Sequence, residues 1–377
     1  MKKIAVSTLS AGITLIATQA QAQSTVTLYG VIDTSVMYIH NSGGRPTQLS
    51  LVSGAESGSR FGLKGDEDLG GGLKAIFRLE NGFNAANGKL GQGGRMFGRQ
   101  AYVGLSGNSW GTVTLGRQLD PLVDLVQPVQ GNKWLGGFFS TPGDIDNADN
   151  NARSNNSVKW ASPNWSGLQL VAMYSFGGIA GSVGSGQTYS GAASYSNGAL
   201  SLAAGYLHID NGNAALSSRG TTSSDSLFNS SVNSAYASSR SIDIARGGGR
   251  YTLGSVTLGG YYSFSRYNPD ANSAFGKAEK YHNGEVYALW QVTPALQTQI
   301  GYDYLKSYGD SSARQNQFSV GVDYLLSKRT DVYGVAAYAH ASGQNGKGAP
   351  QAVIGSNNVD SGSSKQALVV VGLRHRF

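Results

Sequence analysis

The residue types that most often carry chemistry are present in this 377-residue chain, but not in the arrangements that chemistry needs. His40, His208, His282, His340 and His375 stand singly, with no His-Glu-x-x-His pair and no close His/Asp/Glu cluster, so the spacing argues against a metal centre. Serine is abundant without a Gly-x-Ser-x-Gly elbow, although a Ser/His pair assembled from distant segments would leave no local trace. "GQNGKGAP" lacks the Ser or Thr that a phosphate loop places after its lysine, and reads as a solvated loop tip. No cofactor is implied. What remains is charge at every second position. In "SRFGLKGDED", Arg60, Lys64 and Asp66 share one parity while Phe61 and Leu63 take the other. In "GLKAIFRLENGF", Lys74, Arg78 and Glu80 oppose Leu73, Ala75, Phe77 and Leu79. In the terminal "VVVGLRHRF", Arg374 and Arg376 oppose Val371, Leu373, His375 and Phe377. A period of two is that of an extended strand.

The elements that carry these charges belong to an exported chain. Lys2 and Lys3, an apolar stretch from Ile4 to Ala17 and the Ala20-Gln21-Ala22 pattern read as a signal peptide over residues 1–22, its apolar run being too short for a membrane anchor. Cleavage would start the mature chain at Gln23, leave one domain over 23–377, and lower the formal charge from +7 to +5. With no cysteine, stability cannot come from disulfides. The chain holds 54 Gly, 20 Tyr and 12 Phe with only 14% charged residues, and beyond the leader no apolar run approaches a helical span. These values exclude a helical membrane protein and leave open a β-barrel, whose strands alternate faces and average to moderate polarity.

Connectors alternate in length along the whole mature chain. Seven are compact turns ("EDLGGG", "SGNSWG", "SPNWSG", "YSNG", "TLGS", "VTPA" and "LLSKRT"), and eight are long, near 39–58, 81–97, 117–153, 177–187, 209–241, 267–281, 306–315 and 341–365. Fifteen connections make sixteen strands, an even count that puts both termini on the short-turn, periplasmic side. The expected fold is therefore all-β, a 16-stranded antiparallel transmembrane β-barrel with short periplasmic turns and long external loops. Lys or Arg on the lipid face costs ~2–4 kcal/mol near the bilayer midplane. Lys64, Lys74, Arg78, Glu80, Arg374 and Arg376 should accordingly face a wet lumen, with His375 and Phe377 outward at the periplasmic interface. Trp110, Trp160, Trp165 and Trp290 lie at or near short turns, as interfacial rings do.

Several stretches in this order, "VTLYGVID", "SRFGLKGDEDLGGGLKAIFRLENGF", "FGRQAYVGLSGNSWGTVTLGRQ", "NSVKWASPNWSGLQLVAMYSF", "DYLLSKRTDVYGV" and "VGLRHRF", resemble the general porins of Gram-negative bacteria, neisserial and β-proteobacterial branch. The resemblance spans the mature chain. It implies a homotrimer in the outer membrane, in contact with membrane lipid and lipopolysaccharide, a third loop folded into the lumen, and passive diffusion of small hydrophilic solutes. It also implies that His375 and Phe377 are read by the outer-membrane assembly machinery. Arg60, Arg99 and Arg153 match positions where the family places arginines on the wall opposite that loop. Asp120, Asp124 and Asp144 of residues 117–153 are the candidate acidic partners, together with Asp146 and Asp149, but the family's Pro-Glu-Phe pattern is absent from the loop.

Lumen charges then predict small anionic or neutral solutes as the cargo, with a mild preference for anions over cations, because fixed charge is screened less in a constriction than in bulk. Nucleic acid is disfavoured as a partner, since no basic run carries interleaved aromatics. Two alternatives of other classes are an outer-membrane hydrolase and a receptor or adhesin barrel acting through loops 209–241 and 341–365, whose Gly/Ser/Asn composition speaks for mobility.

Overall fold

Period-two alternation becomes strand pairing from one end of the chain to the other. The computed structural model describes residues 24–211, 227–357 and 359–377. The expected leader, 1–22, lies outside the described residues, as does the middle of the 209–241 connector. In chain order the strands are β1 (Thr25–Ser42), β2 (Arg45–Ser53), β3 (Arg60–Gly70), β4 (Leu73–Gly82), β5 (Gln100–Gly107), β6 (Gly111–Gln118), β7 (Ser154–Ala161) and β8 (Leu168–Ser175). They continue as β9 (Thr188–Asn197), β10 (Leu200–Asp210), β11 (Ser241–Leu253), β12 (Val256–Asn268), β13 (Glu279–Thr293), β14 (Leu296–Tyr308), β15 (Arg314–Leu325), β16 (Thr330–Ser342) and β17 (Lys365–Arg376). Every pairing is antiparallel, between sequence neighbours except where β1 also pairs with β3 and where β1 closes the ring against β17, with Val31 opposite Arg376 and His40 opposite Ala367. Gly30 and Phe377 exchange backbone hydrogen bonds at the seam, so the last residue is part of the closure.

Seventeen strand segments make a sixteen-stave barrel because β2 and β3 divide one stave between them. The outer half of β1 pairs with β2 and its inner half with β3, and residues 54–59 turn inward between the two. Residues 39–58, read from composition as one long connector, are thus mostly strand. Asn41, Gly43 and Gly44 all have positive φ (61°, 57° and 75°), the conformation a tight hairpin needs, and Pro46 sits at the start of β2, where a missing donor is tolerated.

Side chains sort as parity requires. Along β17, Gln366, Leu368, Val370 and Arg374 are buried toward the inside, while Val369, Val371 and Leu373 are exposed on the outer face. Ile300, Tyr302 and Tyr304 of β14 are likewise outward, and Gln299 and Asp303 buried inward. Such exposed apolar area fits lipid, not water. No helix among the described residues is long and apolar enough to cross a membrane. At the short-turn end, Trp160 donates Nε1–H to the Trp110 carbonyl (2.8 Å) and lies 6.5 Å from the Trp165 ring, an aromatic cluster at the interface.

Candidate functional site

The site is built from one irregular segment and two arginine clusters. Residues 119–153 leave β6, run across the inner wall and return to β7. Two short helices order them, α1 (Pro121–Leu125) and α2 (Asn132–Leu135). Asp120 caps α1, its Oδ1 accepting from the Leu122 and Val123 amides (2.8 and 3.3 Å), and Pro121 occupies the first helical position, where no donor is needed.

The loop is fastened to the wall by groups that strands alternating inward supply. The Gly131 amide donates to Glu285 (3.1 Å) and its carbonyl accepts from Gln299 (2.8 Å). Tyr287 donates to the Val129 carbonyl (2.8 Å), and Gln317 and Ser319 both donate to the Phe138 carbonyl (2.9 and 2.6 Å). Leu122, Val126, Val129 and Ile145 pack with Leu207, Ile244, Tyr267 and Leu305, while Leu135, Phe138 and Phe139 pack with Val335, Ala337 and Leu368. At ~1.5–3 kcal/mol for each large apolar side chain fully buried, this packing is of the same order as the entropy lost on ordering the loop's contact residues, and the hydrogen bonds to the wall add to it.

What the loop leaves open is a passage of about 1040 Å³. Arg60, Arg78, Arg99 and Arg153 line it together with Glu80, and the loop contributes Lys133, Trp134 and Asp149. Arg99 donates Nε–H to Glu80 (2.7 Å), whose other oxygen accepts from Tyr29 (2.8 Å), so its parity, ambiguous in "RQAYVGL", is settled inward. Arg78 and Lys64 both lie 5.5 Å from the Tyr29 ring centre. Arg60 donates to the Gly58 carbonyl (2.9 Å), and Arg153 donates to the Asn151 carbonyl (3.2 Å) and Asn150 (3.0 Å), neutral acceptors, so that no carboxylate bonds either guanidinium directly although Glu80 lies near both. Burial, with Arg99 and Arg117 nearby, pulls Arg153 down to about 9, which keeps it charged at neutral pH.

The loop aspartates divide by role. Asp120 also accepts from Asn147 (2.7 Å), and Asp144 is buried, accepting from the Asp149 and Asn151 amides (2.8 and 3.3 Å); both face the loop's own packing and not the passage. Asp124 is paired with Lys159 of β7 (2.7 Å). Asp146 accepts from Thr141 (3.0 Å). Of the five, Asp149 lines the passage, where it meets Asn132 and Ser356. Burial, reinforced by the charges of Asp149 and Asp146, pushes the Asp144 carboxyl well up, and burial pushes Asp149 up.

Arg374 has a different setting. It is 4% exposed, donates from Nε to Asp331 (3.0 Å) and from Nη1 to Glu56, and lies 3.4 Å from Asp323. Arg376 pairs with the same Asp331. Glu56, Asp323 and Asp331 are the one trio of carboxylates converging closely enough to hold a cation among the described residues, and the Arg374 guanidinium already does so. Lys74 is an exposed partner of Asp66 (3.2 Å). On the outer face, His375 bonds Thr330 (2.9 Å) and Phe377 is part-exposed beside Gly30.

Sequence reasoning passed over Glu56, Asp323, Asp331 and Trp134. Asp323 had a signal, since Gln317, Ser319 and Asp323 alternate with Phe318, Val320, Val322 and Tyr324. Glu56 had none, because it sits in an irregular turn. Gly136 of the loop (φ +72°) packs so closely on that turn that a Cβ there would collide with the Glu56 carbonyl, a contact no local pattern encodes.

A family model described as Gram-negative porin matches residues 7–344. Over 95% of its length the chain is 32% identical to an outer membrane porin protein of Bordetella pertussis, of which it covers 96%, and 30% identical to outer membrane porin protein 32 of Delftia acidovorans, covering 95% of each. Among solved structures, an anion-selective porin from Comamonas acidovorans superposes with a TM-score of 0.73 at 26% identity, over 94% of this chain and 100% of that one. A closed sixteen-stave barrel with a wet, charged lumen, together with these matches, places the chain in the Gram-negative porin family, as a multi-pass channel protein of the bacterial outer membrane and not an enzyme.

Proposed function

We propose that the channel passes small hydrophilic solutes with a mild preference for anions, and that Arg60, Arg99 and Arg153 form its positive wall. The observation that carries this reading is the pairing pattern: Arg60 and Arg153 line the passage bonded only to neutral acceptors, whereas one carboxylate, Glu80, serves Arg99. Lys133 and Arg78 add to the same side, and Asp149 opposes them. An anion entering this region exchanges part of its water for guanidinium donors whose field is weakly screened, and a cation does not. The similarity to a porin titled anion-selective supports the sign.

The working protein in this reading is a homotrimer whose mature chain begins at Gln23, and whose outward Phe377 is the feature the assembly machinery reads. Exposed Val26, Leu28, Leu63, Val103, Leu105 and Leu115 make a smooth apolar face on the early strands, suited to a second copy. Recording in planar bilayers tests the proposal: current steps grouped in threes and a zero-current potential of anionic sign are expected. Single steps with cationic sign would overturn both parts.

A further inference from the structure

The inward loop carries one aromatic ring that its fastening to the wall does not use. Among the described residues, three aromatic side chains line the passage: Tyr29, Trp134 and Phe138. Phe138 is buried, and Tyr29 is bonded to Glu80 (2.8 Å) and flanked by Lys64 and Arg78. Trp134 stays part-exposed although its neighbours on α2 are fixed, Leu135 being fully buried and Asn132 donating to the Ala148 carbonyl (3.0 Å). A large ring left open to a wet lumen adds less to the fold than one packed away.

Its position is a junction. Trp134 and Lys133 border both the passage and a second opening of about 460 Å³, whose other walls include Pro294 and Ala295 of a short periplasmic turn and Arg376. A solute leaving the passage toward the periplasm therefore meets the indole. Two inner-wall residues hold it: the Tyr287 ring of β13 lies 5.3 Å away, centre to centre, at an interplanar angle of 51°, and the Arg250 guanidinium of β11 lies 5.3 Å from the indole centre. Tyr287 is itself locked, since its hydroxyl donates to the Val129 carbonyl (2.8 Å) and its ring lies over Gly259, where a Cβ would collide with it. Among the described residues, Lys133 and Arg250 have no carboxylate partner, and the Trp134 N–H has no acceptor.

We infer that Trp134, with Lys133 and Arg250, forms a binding subsite for small aromatic carboxylates at the periplasmic mouth of the constriction. The ring of such a solute stacks offset on the indole, and its carboxylate accepts from the Lys133 ammonium or the Arg250 guanidinium, so that one molecule engages both the open π-face and an unpaired cation. An inorganic anion uses the cations alone, and a neutral ring uses the indole alone. The inference rests on the proposed anion channel and adds a solute class to it.

The test is block of the chloride current through the full-length channel in planar bilayers. The probes are benzoate, cyclohexanecarboxylate, which has the same charge and a similar size without the π-system, and benzyl alcohol, which has the ring without the charge. Wild type should be blocked by benzoate at a concentration about three- to tenfold below that needed for cyclohexanecarboxylate, the range an aromatic pair supplies, and benzyl alcohol should block least. In Trp134→Leu the ratio of the two carboxylates should fall to about one; a ring that only stiffened the loop would shift both carboxylates alike and leave the ratio as it was. In Lys133→Gln/Arg250→Gln both carboxylates should lose potency together, toward that of benzyl alcohol. Where a variant does not assemble, the wild-type ranking of the three probes still decides. Equal block by the two carboxylates in wild type, a ratio preserved in Trp134→Leu, or benzyl alcohol as potent as benzoate would overturn the inference. The sign of the zero-current potential in chloride alone, read before any benzoate is added, reports on the channel reading separately, so failure of the one is distinguished from failure of the other.

Discussion

Arg374 and Arg60 have the same chemistry and the same inward parity, yet end in opposite states. Arg374 is surrounded by Glu56, Asp323 and Asp331, and its charge is spent within the wall. Arg60, with Arg99 and Arg153, borders the open passage, and the group has Glu80 as its near carboxylate. Counting lumen charges by parity treats the two clusters alike. What a permeating ion meets is the charge left after local pairing, and the difference is set by one inward turn, residues 54–59, which delivers Glu56 to Arg374 and the Gly58 carbonyl to Arg60.

The largest effect should come from the caged cluster. Arg374→Ala leaves Glu56 and Asp323 buried without their cation and Asp331 with Arg376 alone, which costs ~3–5 kcal/mol. The expected result is a clear drop in the temperature at which the barrel loses its heat-resistant form, with folded yield reduced. Unchanged heat resistance would show that the carboxylates are paired elsewhere. A smaller change follows at the open cluster from Glu80→Gln, which keeps an acceptor for Arg99 and Tyr29 but removes the charge. Anion preference should rise in zero-current measurements while conductance stays similar; a fall would place Arg99 outside the ion path.

The smallest effect concerns the loop that faces both clusters. Burial raises the Asp144 and Asp149 carboxyls, so the folded loop favours their protonated forms. A group raised in the folded state contributes stability that is full below its unfolded value and is lost as pH rises through the folded one. Hydrogen-exchange protection in residues 141–151, corrected for intrinsic rate, should therefore be greater at pH 5 than at pH 8. Asp144→Asn should flatten that dependence, and an unaltered slope would assign it to other groups.

Much of this architecture was legible from period two alone. Lys64, Lys74, Arg78 and Glu80 alternate with apolar neighbours because lipid tolerates charge on neither of two adjacent staves, and the same constraint placed Arg374 and Arg376 inside. The alternation of short and long connectors carried the stave count. Two things escaped. The β1–β2 hairpin was hidden by Pro46 and by a polar stretch that strands avoid only when membrane-embedded. Loop contacts escaped too: Asp120 and Asp144 look like any loop carboxylate until the fold brings Asn147 and the Asp149 amide to them. Parity encodes which way a strand residue points, but nothing local encodes what a turn or a loop reaches across the lumen.

The central claim is that the arginines left without a carboxylate, and not the total of inward charge, set selectivity. Its most direct test is the zero-current potential across a salt gradient at low ionic strength, for wild type and for Arg60→Gln/Arg153→Gln. Wild type should show anion preference and the double variant a shift toward cations, with the barrel's heat resistance unchanged. A cation-selective wild type, or a double variant with the wild-type potential, would contradict the account.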